Sequence, residues 1–435
     1  MIRFRRRPRR RRGAFALVAT GLAAFAITAA PAATRAPSYC SGSHWVGAWS
    51  ASPTDAAPGF SQSLAARTVR TIISPLGGGN TIRIHLSNQF GAEPLKIDAA
   101  SIAKQSVGAS VRAKTIRALK FHGKRSVTIP PRSQVVSEPV KLRFGTLQHL
   151  AVSTYVDPGS TQLATEHHWG RQTSYLSSPG AGNHSLDPSG SAFAATTTAR
   201  FLLTGLDVRA TRRVGAVATF GDSITDGFEG TSTPLVENPE GIDRDGRYPD
   251  FLARRLLERR GPRRLTVLNA GITGNRILEG GLLPVFGPSG LSRLRRDVIH
   301  LPGVETVIIL EGINDIGLTP ATAPEVIGGL KQEVGALKQA GLRVLLGTLT
   351  PAGGPGNPSY GGAGANAVRV AVNGWIRGQH LAAGVVDFDR AVRDPSDPSR
   401  LDPAYDSSDH LHPSMAGYRA MAGAVPLGKL ASRCP

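Results

Sequence analysis

Residues 80–90, NTIRIHLSNQF, put Ile82, Ile84 and Leu86 on one side of an extended chain and Arg83, His85 and Ser87 on the other. A hydrophobic repeat of two is the signature of a strand with one face buried. Further short runs follow, PLKIDAASIA, KRSVTIPP, QVVSEPVKLRF and HLAVSTYV, separated by Gly, Pro, Asn and Ser. No amphipathic helical stretch interrupts them, so residues 40–210 are predicted to form an all-β domain, a sandwich or jelly roll. The polar tracts 157–162 and 177–199 are predicted as long surface loops. His167-His168-Trp169 is predicted as a loop with one ring packed on the surface.

From Arg212 the period changes. VGAVATF (214–220), LTVLN (265–269), VETVIIL (304–310), LRVLLGTL (342–349) and VVDF (385–388) are predominantly apolar runs without a repeat of two, and are predicted as strands covered on both faces. Helical candidates lie between them at 248–261, 322–340 and 364–383. In the first, Pro249 suits the opening turn, Phe251, Leu252, Leu256 and Leu257 make an apolar stripe, and Gly261 ends it. Strands alternating with helices predict an α/β domain over 211–435, with a parallel sheet covered on both sides.

The chain has 435 residues, 40% hydrophobic and 19% charged, enough for two folded domains. A formal charge of +20 invites a nucleic-acid reading until it is mapped. Residues 1–12 hold eight Arg and no acid, and GAFALVATGLAAFAITAA (13–30) is uncharged. Small-residue sites at Ala30-Pro31-Ala32 or Thr34-Arg35-Ala36 complete a secretory signal peptide over 1–36. The apolar run is 18 residues, the lower limit for an uncleaved anchor, and its Ala-rich character favours cleavage. Cleavage after Ala36 removes nine Arg and leaves +11, spread without a Lys/Arg block. The expectation is a secreted monomer with no nucleic-acid partner and no stable membrane insertion, its charge at most drawing it to anionic envelope polymers or lipids. Cys40 and Cys434 are the two cysteines; in an oxidising compartment such a pair reads as a disulfide. With no other thiol, a thiolate zinc site or a Cys nucleophile is not expected.

In an open parallel sheet, ligands bind beyond the carboxyl ends of the strands. The first three α/β strands run out into GDSITDG, NAGITGN (269–275) and EGINDIG (311–317), and SSDHLHPS (407–414) precedes the last helical candidate. Such a set suits acyl transfer. Ser223 needs a base to become a nucleophile; His412 can be that base, and Asp409 can fix its tautomer. The oxyanion needs donors, which the amides of Ser223 and Gly274 and the Asn314 side chain can supply. Gly271 is an alternative to Gly274, and His410 to His412. Asp222 reads as a structural partner, and Thr225 and Asp226 as caps or braces of the following turn. Asp409, His410 and His412 could be imagined on a metal, but no second cluster joins them, and no metal or cofactor is expected.

These four blocks, with Ser223, Gly274, Asn314 and His412 in order, resemble those of the SGNH (GDSL) hydrolase superfamily, with Asp409 completing its triad. The resemblance covers about 212–433 and implies a flavodoxin-like three-layer α/β/α fold, a five-stranded parallel sheet, and ester hydrolysis without a cofactor. The β region is similar, more loosely, to the β-sandwich extension of some secreted actinobacterial-type members. The expectation is a secreted serine esterase acting through an acyl-serine on small-molecule or glycan esters, short acyl esters or acetylated glycans among them. An acyltransferase, a lysophospholipase or lipase, and a carbohydrate-binding wall protein are the alternatives. Loops 228–247 and 351–366 follow strands one and four and are predicted to border the cleft.

Overall fold

The computed structural model describes residues 42–259, 264–355 and 357–430. The predicted signal peptide and the Cys40–Cys434 pair lie outside the described residues.

Residues 43–211 form two facing antiparallel sheets. One joins Ser43–Ser50, Leu203–Thr211, Gly79–Asn88 and Ser133–Val136, with Val140–Phe144 also paired to Gly79–Asn88. The other has Leu150–Val156 between Thr68–Ile73 and Leu95–Lys104. Ile82, Ile84 and Leu86 are fully buried, in one core with Ile97, Ile102, Leu150 and Val152 of the facing sheet. The alternation in the sequence thus becomes the inner face of a sandwich.

The tract 177–199 differs from the expected surface loop. Phe193–Thr197 is a strand on Ser174–Ser177, and the segment before it is gathered around the buried Arg70. That guanidinium donates to the carbonyls of Ala109 (2.6 Å), His184 (3.0 Å) and Asp187 (2.8 Å) and lies 4.4 Å from the Phe193 ring centre. Five fixed donors let one arginine satisfy backbone that no ladder reaches.

Residues 214–430 form the parallel sheet, in the order Arg264–Gly271, Val214–Gly221, Val304–Leu310, Arg343–Gly347, Gly384–Val386. Gly221 is in register with both Gly271 and Leu310, so the first three strands stop at one edge. Every residue of Val304–Leu310 is buried, as a strand covered on both faces requires. Helices Tyr248–Glu258, Ala323–Gln339, Ala363–Gly378 and Met415–Ala424 accompany it. The third is shorter than its apolar pattern, because Gln379 turns extended. VVDF is cut short in the same way: Asp387 leaves the strand and caps Phe388–Val392 by accepting from the Arg390 amide.

The two parts share one apolar core that includes Val46 and Leu268. The strand Ser43–Ser50 lies along the outer strand of the parallel sheet. Thr266 donates to the Gly47 carbonyl at 2.6 Å and Ser50 to that of Asn269 at 2.8 Å. A Cβ at Gly47 would lie 2.7 Å from Leu268 Cδ1, so a larger residue there would have to displace that buried side chain. No helix among the described residues is long and apolar enough to cross a membrane.

Candidate active site

Strand Val214–Gly221 ends in a sharp turn into the one-turn helix Ser223–Asp226. Asp222 caps it by accepting from the Ile224 amide at 3.0 Å, and Gly227, at φ +92°, closes it with its amide on the Ser223 carbonyl. Gly221 is needed for space: a Cβ there would sit 2.0 Å from the Leu310 carbonyl oxygen. Ser223 is thereby held nearly buried, its Oγ aimed at a ring from the far end of the chain.

That ring is His412, whose Nε2 lies 2.8 Å from Ser223 Oγ. Its Nδ1 is 2.6 Å from Asp409 Oδ2. Asp409 also accepts from the amides of Leu411 (3.0 Å) and His412 (2.8 Å). Burial alone would push its carboxyl up, but the His412 ring and these two amides hold it down at about 2. A carboxylate only accepts, so Nδ1 carries the hydrogen and Nε2 offers its lone pair to the serine hydroxyl. The Phe228 ring packs edge-on against His412, centroids 4.8 Å apart. His410 turns elsewhere: its Nδ1 is 2.5 Å from Asp406 Oδ2.

Gly274 stands at φ +76°, and a Cβ there would meet the Phe286 ring at 2.5 Å. Gly271 differs from it in one respect that matters: its amide is already used, donating to Asn269 Oδ1 at 2.8 Å. Asn314, in the first turn of Ile313–Leu318, donates through Nδ2 to the Asn275 carbonyl and accepts at Oδ1 from the Tyr360 hydroxyl, both at 2.8 Å. These two bonds fix which way the amide points and leave one N–H hydrogen free. Asp315 next to it accepts from the amides of Ile277 (2.9 Å) and Leu278 (3.0 Å), tying the Gly274 loop to this helix.

Beneath the site lies Arg293, fully buried. It donates to the carbonyls of Gly221 (2.8 Å) and Ala270 (2.7 Å) and to Asn275 Oδ1 (2.6 Å), and so clamps the ends of two strands. Burial pushes the neighbouring Glu311 carboxyl up to about 7, against the pull of Arg293. Asp222 is likewise raised by burial; it is committed to the helix cap and touches neither Ser223 Oγ nor the ring.

Ser223, Gly274, Asn314, Asp409 and His412 line one cleft of about 630 Å³. Thr231–Leu235 from one predicted bordering loop, and Pro355, Asn357 and Tyr360 from the other, line it too. Among the described residues, no group of three or more His, Cys, Asp or Glu is placed to hold a metal.

The contribution of residues 166–169 was not legible. Glu166–His167 is a two-stranded pair with Arg200–Phe201, and His167 and Trp169 are buried instead of lying in a surface loop. His167 Nδ1 faces the Ser52 carbonyl and Nε2 faces Asp226 Oδ1, both at 3.0 Å. Asp226 in turn accepts from the Thr273 amide (3.2 Å) and hydroxyl (3.0 Å), beside Gly274. Burial acts against the Asp226 carboxylate, but His167 keeps it below its ordinary range. Trp169 stacks on Phe286 at 5.7 Å and meets Phe228 edge-on at 6.2 Å. The β part therefore backs the cleft, packing behind the Phe228 and Phe286 rings that line it. The only sequence signal was three consecutive rings in an otherwise polar tract.

Residues 219–420 match the GDSL-like lipase/acylhydrolase family. No curated protein matched the chain. Similar solved structures include an aryl esterase from M. smegmatis, at 18% identity over 50% of this chain and 100% of that one, with a TM-score of 0.40. A carbohydrate acetylesterase from Sinorhizobium meliloti is 19% identical over 48% of this chain and 95% of its own, with a TM-score of 0.38. A GDSL-like lipase from Bacteroides thetaiotaomicron is 22% identical over 49% and 87%, with a TM-score of 0.35.

Proposed function

We propose that this ester hydrolase, whose residues 219–420 belong to the GDSL-like lipase/acylhydrolase family, works through an acyl-Ser223 intermediate. The observation that carries the reading is the pair of contacts on one ring: His412 Nε2 to Ser223 Oγ at 2.8 Å, and His412 Nδ1 to Asp409 Oδ2 at 2.6 Å. As Ser223 Oγ attacks the ester carbon, His412 takes its proton, and Asp409 stabilises the imidazolium. The carbonyl oxygen becomes an oxyanion, met by the amides of Ser223 and Gly274 and the free Asn314 N–H. Collapse expels the alcohol, which takes the proton from His412. Water then repeats the attack on the acyl-serine, with His412 again the base, and the acid leaves.

The cleft volume and its rings support carboxylic esters larger than acetyl as well as short acyl esters. Export is proposed from the basic-apolar-small pattern of residues 1–36.

A fluorophosphonate probe is expected to label the wild type and not Ser223→Ala. A panel of p-nitrophenyl esters and acetylated glycans, run with and without acceptor alcohols, reads substrate class and separates hydrolysis from transfer. Labelling that survives Ser223→Ala would overturn the acyl-serine mechanism.

A further inference from the structure

None of the reacting groups comes from the β part, yet that part grips the long loop 228–247 through four carboxylates. Arg171 donates to Glu229 Oε1 at 2.9 Å and stands 3.5 Å from Glu237 Oε1. Thr198 donates to Glu237 Oε2 at 2.7 Å. Thr173 donates its amide (2.7 Å) and hydroxyl (2.6 Å) to Asp243. His149 Nε2 lies 2.9 Å from Asp245. A side chain at Gly241 would collide with the Arg171 guanidinium and the Glu229 carboxylate and push them apart.

Inside this grip, Gly230 and Glu237 form an isolated antiparallel bridge, which pinches 231–236 into a flap. Its base is therefore anchored in buried charge, while Thr231, Ser232, Thr233, Pro234 and Leu235 line the cleft, Leu235 being the one large apolar side chain among them. Leu235 is 45% exposed and has φ +60°, a left-handed conformation that a branched side chain rarely adopts. Arg171, Asp243 and Asp245 also have positive φ, so strained backbone gathers on both sides of the clamp. Strain held by surrounding contacts points to a job for the strained residue. Here that residue is a leucine exposed at the rim of a catalytic cleft whose wall includes Phe228, Phe286 and Leu318.

We infer that Leu235 selects esters bearing an apolar tail longer than acetyl, and that Arg171 and Thr198 are the positioning residues that hold its flap over the cleft. The inference rests on the ester-hydrolase reading above. The clamp keeps the leucine in place before substrate arrives, so ordering the flap costs nothing on binding.

The test uses the full chain and measures kcat and KM on p-nitrophenyl acetate and p-nitrophenyl octanoate, with fluorophosphonate labelling of Ser223 alongside. Wild type is expected to favour octanoate. Leu235→Ala is expected to lower the octanoate-to-acetate ratio of kcat/KM about tenfold, through a higher KM for octanoate, as loss of part of an apolar wall does. Thr198→Val, which removes one bond to Glu237 without changing side-chain size, is expected to lower the same ratio about threefold, again in KM. It serves where Arg171→Met fails to fold. If both variants label normally and keep the wild-type ratio, the flap assignment is overturned while the hydrolase reading stands. If wild type neither labels nor turns over either ester, both are overturned.

Discussion

The two parts of the molecule hold the site by different means. In the α/β part, the sheet sets the positions: Gly221, Gly271 and Leu310 end in register, each following turn carries one proposed functional group, and the buried Arg293 and Asp315 tie those turns together. In the β part, long side chains reach across the seam, with His167 on Asp226 and Arg171 on Glu229 and Glu237. Hydrogen bonds within a sheet fix reacting atoms with little freedom. Ion pairs through side chains fix loops, and loops are where substrate preference resides. On the proposed reading, chemistry rests on the first kind of contact and selectivity on the second.

The largest effect that probes this division lies wholly in the α/β part. Ser223→Ala or His412→Ala is expected to lower kcat roughly a millionfold, read with any ester the wild type turns over; a loss below about a hundredfold breaks the assignment of chemistry to this edge. Next is His167→Gln, which removes the ring that faces the buried Asp226 carboxylate at 3.0 Å and is expected to cost about 2 kcal/mol in denaturant unfolding. A lower kcat with KM held would sharpen the comparison by extending the β part's grip to the Gly274 loop; a stability loss alone would confine that grip to the flap.

A pH scan reads a smaller effect. Burial raises two neighbouring carboxyls, that of Glu333 well above its ordinary 4.5 and that of Glu311 from 4.5 to about 7, so the folded protein keeps on Glu311 a proton that the unfolded chain releases between those values. Its contribution to stability is whole below about pH 4.5 and is lost as pH rises through 7. Glu311→Gln is expected to flatten that decline in unfolding free energy; an identical slope in the variant contradicts it. Smallest is His85→Gln in the β sandwich, which removes a contact to Asp207 at 2.8 Å. It is expected to cost about 1 kcal/mol and to leave both ester rate constants where they were.

The same division explains how much was legible beforehand. Strands buried on both faces are continuous apolar runs, so Val214–Gly221 and Val304–Leu310 could be drawn within a residue or two. Their Gly-flanked exits pointed to Ser223, Gly274 and Asn314, and the structure brings these together with Asp409 and His412. In the β part, the alternation at 80–90 was equally plain. The buried Arg70 and Arg171 were not, because a sequence does not show which carbonyls or carboxylates will surround a guanidinium. Glu166–His167 is too short to display a period. The left-handed turn at Leu235 carries no signal, since the bridge between Gly230 and Glu237 that brackets it joins residues with no shared pattern.

The strand Ser43–Ser50 lies against the outer edge of the parallel sheet, and its glycine admits Leu268. A segment cut back to residues 214–430 would keep Ser223, Asp409 and His412 but would lose the strand that packs on Leu268 and the Arg171, Thr173 and Thr198 side chains that fasten the flap. Trimming the protein to its α/β part is therefore expected to blur its choice among esters before it abolishes turnover.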